Sequence, residues 1–456
     1  MSLSRSLSPS IATPVCSRLF STAAATLAAV PTSSIPQAKA HLVPSTGVYP
    51  RGFKAAAVHA GIKKKPGVLD LVLVASDPSH PCTAAAVFTT NAFQAAPVLV
   101  DKEIVATHPT RVQGVLTNAG CANACTGDQG LSNARESSKL AAAALQTSNP
   151  ALVMSTGVIG QHLDMSKMRA GIQSVASQLA EGHDAWMKAA MGIMTTDTFP
   201  KLRSGEFVLP SGKRYRMAGM CKGAGMIHPN MATMLSTVYT DLPIVPSLLR
   251  SAVRSAADWS FNAISIDGDT STNDTFAVLA NGAAATGENW GVQEEGADYS
   301  AFRDQLTEFS AEMAKLVVRD GEGATKFVTI DVEGAENFSS AHHIASTIAT
   351  SPLVKTALFG RDANWGRVVC AVGYSGIAVD PARVNLWFSS PYPGGKALHI
   401  FKDGAPYQID EEVAAEILEK EDVNIKVKVG EGEGIARMYT CDFSYDYVKI
   451  NADYRS

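Results

Sequence analysis

The sequence predicts an α/β protein of the layered α+β kind. Short runs of β-branched and aromatic residues alternate along it with longer stretches of helical spacing, and several of the strand-like runs look antiparallel. Hydrophobic residues make up 46% of the chain and charged residues 18%, below the ~25% usual for globular proteins, which favours a large buried core. The 36 glycines, with abundant Ala and Thr, point to tight turns and close packing, and 456 residues suggest roughly two or three domains.

Taken in order, Pro66-Gly67 is a turn that closes a basic run, and residues 68–75 (VLDLVLVA) form a strand, apolar except for Asp70. Residues 84–90, 98–101 and 112–116 read as further strands. The small-residue stretch from Thr117 to Gly127 reads as a loop, and 137–145 as an alanine-rich helix. Residues 151–154 are a strand running into Ser155-Thr156-Gly157. Met168, Ile172, Val175 and Leu179 share one face of a helix spanning 165–191. Pro210-Ser211-Gly212 marks a hairpin. Helices follow at 247–259, 302–318 and 409–420, with strands at 327–332, 423–429 and 436–443.

The first acidic residue is Asp70; before it stand Arg5, Arg18, Lys39, Arg51, Lys54 and Lys63 to Lys65, in a Ser-, Ala- and Thr-rich opening. That is the composition of a mitochondrial transit peptide, and the apolar run at 23–30 is too short for a secretory signal. Arg18-Leu19-Phe20-Ser21 has the form of a matrix-protease site, so the leader is expected to cover residues 1–20, with a boundary as late as 35, and the address to be the mitochondrial matrix. No run reaches the ~18 apolar residues of a membrane span. A net charge of −4 gives no basic surface for nucleic acid. The seven cysteines lack framework spacing and are expected as reduced thiols.

No metal site is expected. His342-His343 lacks the spacing of a zinc motif. Ser265 to Asp274 resembles a calcium loop but has Thr272 where glycine is required and Val278 where glutamate is required. Arg319 to Lys326 is not a phosphate loop, because Gly-Lys-Ser/Thr is absent.

The stretch that carries chemistry is Cys221 to Leu235. Two glycines and Pro229 make it an irregular loop, and from Thr233 the β-branched residues begin a strand. A threonine hydroxyl is a weak nucleophile without an adjacent base. At the start of a chain, its own α-amine, with a reference pKa of ~7.7–8.0, supplies that base; within an uncut chain the same nitrogen is an amide.

The run Lys-Gly-x-Gly-Met-x-x-Pro-x-Met-Ala-Thr-x-Leu resembles the self-cleavage site of the ornithine acetyltransferase family of bifunctional glutamate N-acetyltransferases. Further matches recur along most of the chain after the leader. The resemblance implies a cut between Ala232 and Thr233, giving chains 21–232 and 233–456 that stay together, with Thr233 as nucleophile. It implies Thr156 and Gly157 as the oxyanion hole, and substrate contacts from Thr195 of Thr195-Thr196-Asp197-Thr198, from Lys222, Thr233 and Glu322 of the Asp320-to-Lys326 segment, and from Asn451 and Ser456 of the tail. It also implies stacked αββα layers like those of N-terminal-nucleophile folds, and an assembly of two of each chain. The implied reaction is ping-pong: N-acetylornithine acetylates Thr233, ornithine leaves, and glutamate takes the acetyl group, with acetyl-coenzyme A as a second donor and no cofactor.

Two other readings predict different outcomes. An amidohydrolase or aminopeptidase of the same architecture would release acetate and make no acetylglutamate. A non-catalytic small-molecule-binding protein would remain uncut.

Overall fold

The computed structural model describes residues 35–228, 234–287 and 290–452. The leader, Ala232, Thr233 and Ser456 lie outside the described residues.

Two sheets and two sets of helices make four stacked layers. The first sheet has the strand order Phe53–Val58, Leu71–Ser76, Gly114–Cys121, Ala151–Val158; its last pair is parallel and the others antiparallel. The second has the order Thr83–Phe88, Thr275–Ala280, Leu235–Thr240, Arg214–Lys222, Lys201–Val208. Alternate side chains of a strand point to opposite faces, and both sheets use this to bury both faces. Met220, Leu235 and Tyr239 pack with the first sheet in one core, while Tyr215, Met217, Cys221 and Val238 belong to another with helices Pro246–Asp258 and Ala297–Arg319. Helices Gly127–Ala144 and Met165–Ser177 cover the outer face of the first sheet. The α/β layering and the αββα order agree with the expectation. Gly219 shows how closely the layers meet: a Cβ there would lie 2.6 Å from Met313 Sδ and 2.9 Å from the Phe309 ring.

A third, seven-stranded sheet, which includes Phe327–Ala335, Asp422–Lys428 and Gly434–Cys441, carries its own core with helices Phe338–Thr350, Trp365–Gly373 and Glu411–Glu419. Phe327 and Tyr439 stack at 5.7 Å between ring centroids, within the core of the second sheet's helices.

Three local expectations are corrected. Residues 98–101 are not a strand; they lie in helix Ala96–Thr107, where Pro97 occupies the first turn and Val98, Val100, Asp101 and Ile104 are buried. Proline is well placed at a helix start, and tertiary packing outweighs the β propensity of the valines. The helix expected over 165–191 is two, Met165–Ser177 and His183–Gly192, parted where Gly182 takes φ +89°. The expected loop from Thr117 is strand as far as Cys121, because Asn118 lies in register with Leu71 and Ser155.

Candidate active site

The site begins where the parallel strands Gly114–Cys121 and Ala151–Val158 end side by side. Gly120 pairs with Gly157, and Gly157 has φ +129°. A Cβ on Gly157 would stand 2.3 Å from the Gly120 carbonyl carbon, so only glycine fits. Thr156, just before it, is buried, and its hydroxyl accepts a 3.1 Å hydrogen bond from Lys222 Nζ. Lys222 ends strand Arg214–Lys222, so this bond joins the two inner sheets at one edge.

Beneath Lys222 lies a buried charge cluster. Asp197 Oδ1 accepts from Lys201 Nζ at 2.5 Å and from the Gly223 N–H at 2.8 Å. Asp197 Oδ2 accepts from the Thr195 N–H at 2.8 Å. Lys201 Nζ also donates to Asp320 Oδ2 at 2.6 Å, and Asp320 accepts from the backbone N–H and hydroxyl of Thr198 and from Lys39 Nζ. Asp197, Lys201 and Asp320 are all buried. Burial works against the Asp197 carboxylate, yet Lys201, Lys222 and the Gly223 N–H hold it well below the usual range. Burial likewise works against the Lys201 ammonium, which its two aspartates keep charged. Desolvation pushes Lys222 below the ordinary lysine range, with Asp197, Asp274 and Glu322 opposing it.

Glu322 follows helix Ala297–Arg319. Its backbone N–H donates to the Ala224 carbonyl at 2.8 Å, and a Cβ on Gly225 would sit 2.4 Å from its Oε2. That oxygen accepts from Asn451 Nδ2 at 2.8 Å. Asn451 belongs to the terminal helix Tyr445–Ala452, which docks by Ser444 Oγ donating to the Gly323 carbonyl at 2.6 Å.

The loop after Lys222 is held from the 265–275 stretch. Asp267 accepts from the N–H groups of Met226 and Ile227 at 2.6 and 2.9 Å. Thr270 Oγ1 donates to the His228 carbonyl at 2.8 Å, and the Thr275 N–H to the Met234 carbonyl at 2.8 Å. Both described ends flanking residues 229–233 are therefore pinned by one turn. The region from Asp267 to Asp274, expected as a structured turn, has this placement.

Thr156, Gly157, Thr195, Lys222, Glu322 and Asn451 are thus gathered around one loop. Lys201, Asp320 and the role of Asp197 escape the reading of the sequence. A lysine opening a strand gives no sign in sequence that it is buried, and the two aspartates it joins are 123 positions apart in the chain numbering, from Asp197 to Asp320.

Together these groups make an oxyanion-type corner of one hydroxyl and a glycine backbone, an ammonium beside it, and a carboxylate–amide pair opposite. Such an arrangement suits stabilising charge on a carbonyl oxygen while gripping an amino acid by its charged ends.

Comparison with known proteins agrees with this chemistry. A family model described as the ArgJ family matches residues 54–456. The chain is 50% identical over 438 residues to the mitochondrial arginine biosynthesis bifunctional protein ArgJ of Sordaria macrospora, covering 93% of this chain and 92% of that one. Among solved structures it is similar to the ArgJ protein of Bacillus halodurans, at 39% identity, 47% of this chain, 96% of that chain and a TM-score of 0.43. It is also similar to ornithine acetyltransferase of Mycobacterium tuberculosis, solved with ornithine, at 35% identity, 42% of this chain, 98% of that chain and a TM-score of 0.35. With the family match spanning residues 54–456 and half of all aligned positions shared with the Sordaria protein, the chain belongs to the ArgJ family of arginine-biosynthesis acyltransferases, and to its mitochondrial members.

Proposed function

We propose that this enzyme transfers the acetyl group of N-acetylornithine to glutamate through an acetyl ester on Thr233, after cutting itself between Ala232 and Thr233. The observation that carries this reading is the meeting of Thr156, Gly157 and Lys222 with Glu322 and Asn451 around the loop leading to residue 233.

In the self-cut, the Thr233 hydroxyl adds to the Ala232 carbonyl, the peptide becomes an ester, and water releases it. The new α-amine then serves as base. It takes the hydroxyl proton as Thr233 attacks the acetyl carbonyl, and the proton leaves with the departing ornithine amine. Thr156 and the Gly157 backbone stabilise the oxyanion, with Lys222 orienting the Thr156 hydroxyl. Glu322, held by Asn451, receives the ligand's ammonium, and Lys222 and Thr195 sit on the side of its carboxylate. Ser456, Thr195 and Asn451 complete the substrate contacts. Acetyl-coenzyme A acts as an alternative donor to the same threonine. Residues 21–232 and 233–456 remain associated, two of each, in the mitochondrial matrix after the leader is removed.

The test is an acetyl-transfer assay with labelled N-acetylornithine. Label is expected in acetylglutamate when glutamate is present, and on the chain that begins with Thr233 when it is absent. Label released as acetate without acetylglutamate would support the amidohydrolase reading instead.

A further inference from the structure

Asp274 is a buried acid that the proposed mechanism does not use. It is 3% exposed, and its Oδ2 has no hydrogen-bond partner among the described residues. A buried polar oxygen left unpaired costs free energy, so a native structure that retains one invites an explanation.

Its surroundings place it at the acyl-transfer site. The preceding residue, Asn273, donates from Nδ2 to the carbonyls of Ala122 at 2.6 Å and Ser155 at 2.8 Å, binding the turn to the strand end that carries Thr156. The following residue, Thr275, pairs with Leu235 and donates its N–H to the Met234 carbonyl. Position 233 is one peptide bond before that carbonyl. Lys222 is in register with Leu235 on the other side, so Lys222, Leu235 and Thr275 form a row across three strands.

The charges around this acid are unequal. Burial raises its carboxyl well above the ordinary range; Lys222 opposes this, as do the Ser271 hydroxyl and N–H. Lys222 in turn is flanked by Asp197, Lys201 and Glu322. In the uncut chain, position 233 has no amine to offer. Once an α-amine exists there and accepts the hydroxyl proton, a second cation forms in the neighbourhood of Lys222. Two adjacent cations repel, and a carboxylate nearby relieves the repulsion.

We propose that Asp274 is the positioning residue that balances the α-ammonium at residue 233, its spare oxygen being the partner reserved for that group. This rests on the self-cleaving acetyl-transfer reading. Asp274 breaks no bond: the proton moves from hydroxyl to α-amine, then to the leaving amine, while the carboxylate stabilises the intermediate ammonium.

A kinetic titration separates this from a purely structural role. A neighbouring opposite charge typically moves a pKa by about 1–3 units. Removing the carboxylate in Asp274→Asn lowers the pKa of the amine. The acid limb of the kcat profile is then expected to move to lower pH by about one unit or more, with a reduced plateau rate. Asp274→Glu is expected to restore the wild-type limb and part of the plateau. Each variant is first checked by intact mass, and Asp274→Glu against wild type carries the test if Asp274→Asn stays uncut. A cut Asp274→Asn with an unmoved limb overturns the proposal whether or not its rate falls, as does a processed Asp274→Glu that moves the limb as far as asparagine does. A wild-type protein with no free amine at residue 233 instead overturns the reading on which the proposal rests.

Discussion

Asp197 receives hydrogen bonds from two backbone N–H groups and one ammonium, and so sets the spacing of Thr195, Gly223 and Lys201. Removing one member of a buried ionic cluster leaves an unbalanced charge, at a cost of about 3–5 kcal/mol. Asp197→Asn is expected to lose stability of that order in chemical denaturation and to raise KM, because Thr195 and the Lys222 loop lose their common anchor. The pH dependence follows from the two directions. The folded Asp197 is held below its unfolded value, so its contribution is present above ~4 and lost as pH falls through the folded value. Lys201 is held above its unfolded value, so its contribution is present below ~10 and lost only as pH rises beyond that. The stability gap between wild type and Asp197→Asn should therefore be flat near neutrality and shrink on acidification. Gly157 makes a separate prediction. With φ +129° and the Gly120 carbonyl carbon only 2.3 Å from where a methyl would stand, Gly157→Ala must push the strand ends apart. A displacement near 1 Å typically costs about 10²-fold in rate, and kcat for acetyl transfer is expected to fall by that order.

At the scale of elements, the glycine-rich loop and the terminal helix are joined through Glu322. Its backbone is tied to Ala224 and its carboxylate to Asn451. A contact made equally in ground and transition states raises KM and leaves kcat. Glu322→Gln is expected to behave in that way, whereas Thr156→Ala, which removes an oxyanion donor, should lower kcat by ~10²–10³ in protein shown to be fully processed. A Thr156→Ala enzyme with wild-type kcat would rule out the oxyanion assignment. Element type was legible where periodicity was long, as in Ala297–Arg319 and the hairpin around Pro210-Ser211-Gly212. It failed at Val98-Leu99-Val100, where a run of β-branched and aliphatic residues is ambiguous and burial decides. Lys222, Glu322 and Asn451 were legible through the motif around each. The charge cluster below them was not, because its three members come from separate segments and only folding brings Lys201 against Asp320.

Across the whole molecule, the layer order explains why the site lies where it does. Strand Leu235–Thr240 runs between Arg214–Lys222 and Thr275–Ala280 in the second sheet, so the chain just before it emerges beside Lys222 and the 265–275 turn. The alternation of strands and helices indicated a layered α/β protein, but not which sheets face each other. That depends on the matching of Met220, Leu235 and Tyr239 to the first sheet, which one strand's pattern does not specify. A central strand whose neighbours are already paired holds its position after a cut at its leading end, so the two chains should remain together through both inner sheets. Intact mass and N-terminal sequencing of the purified protein, wild type beside Thr233→Ala, test this account most directly. The wild type is expected to yield two polypeptides, the second beginning Thr-Met-Leu-Ser, and Thr233→Ala one inactive chain uncut at that bond. An active wild type that remains a single chain, or a Thr233→Ala protein cut efficiently between positions 232 and 233, would contradict it.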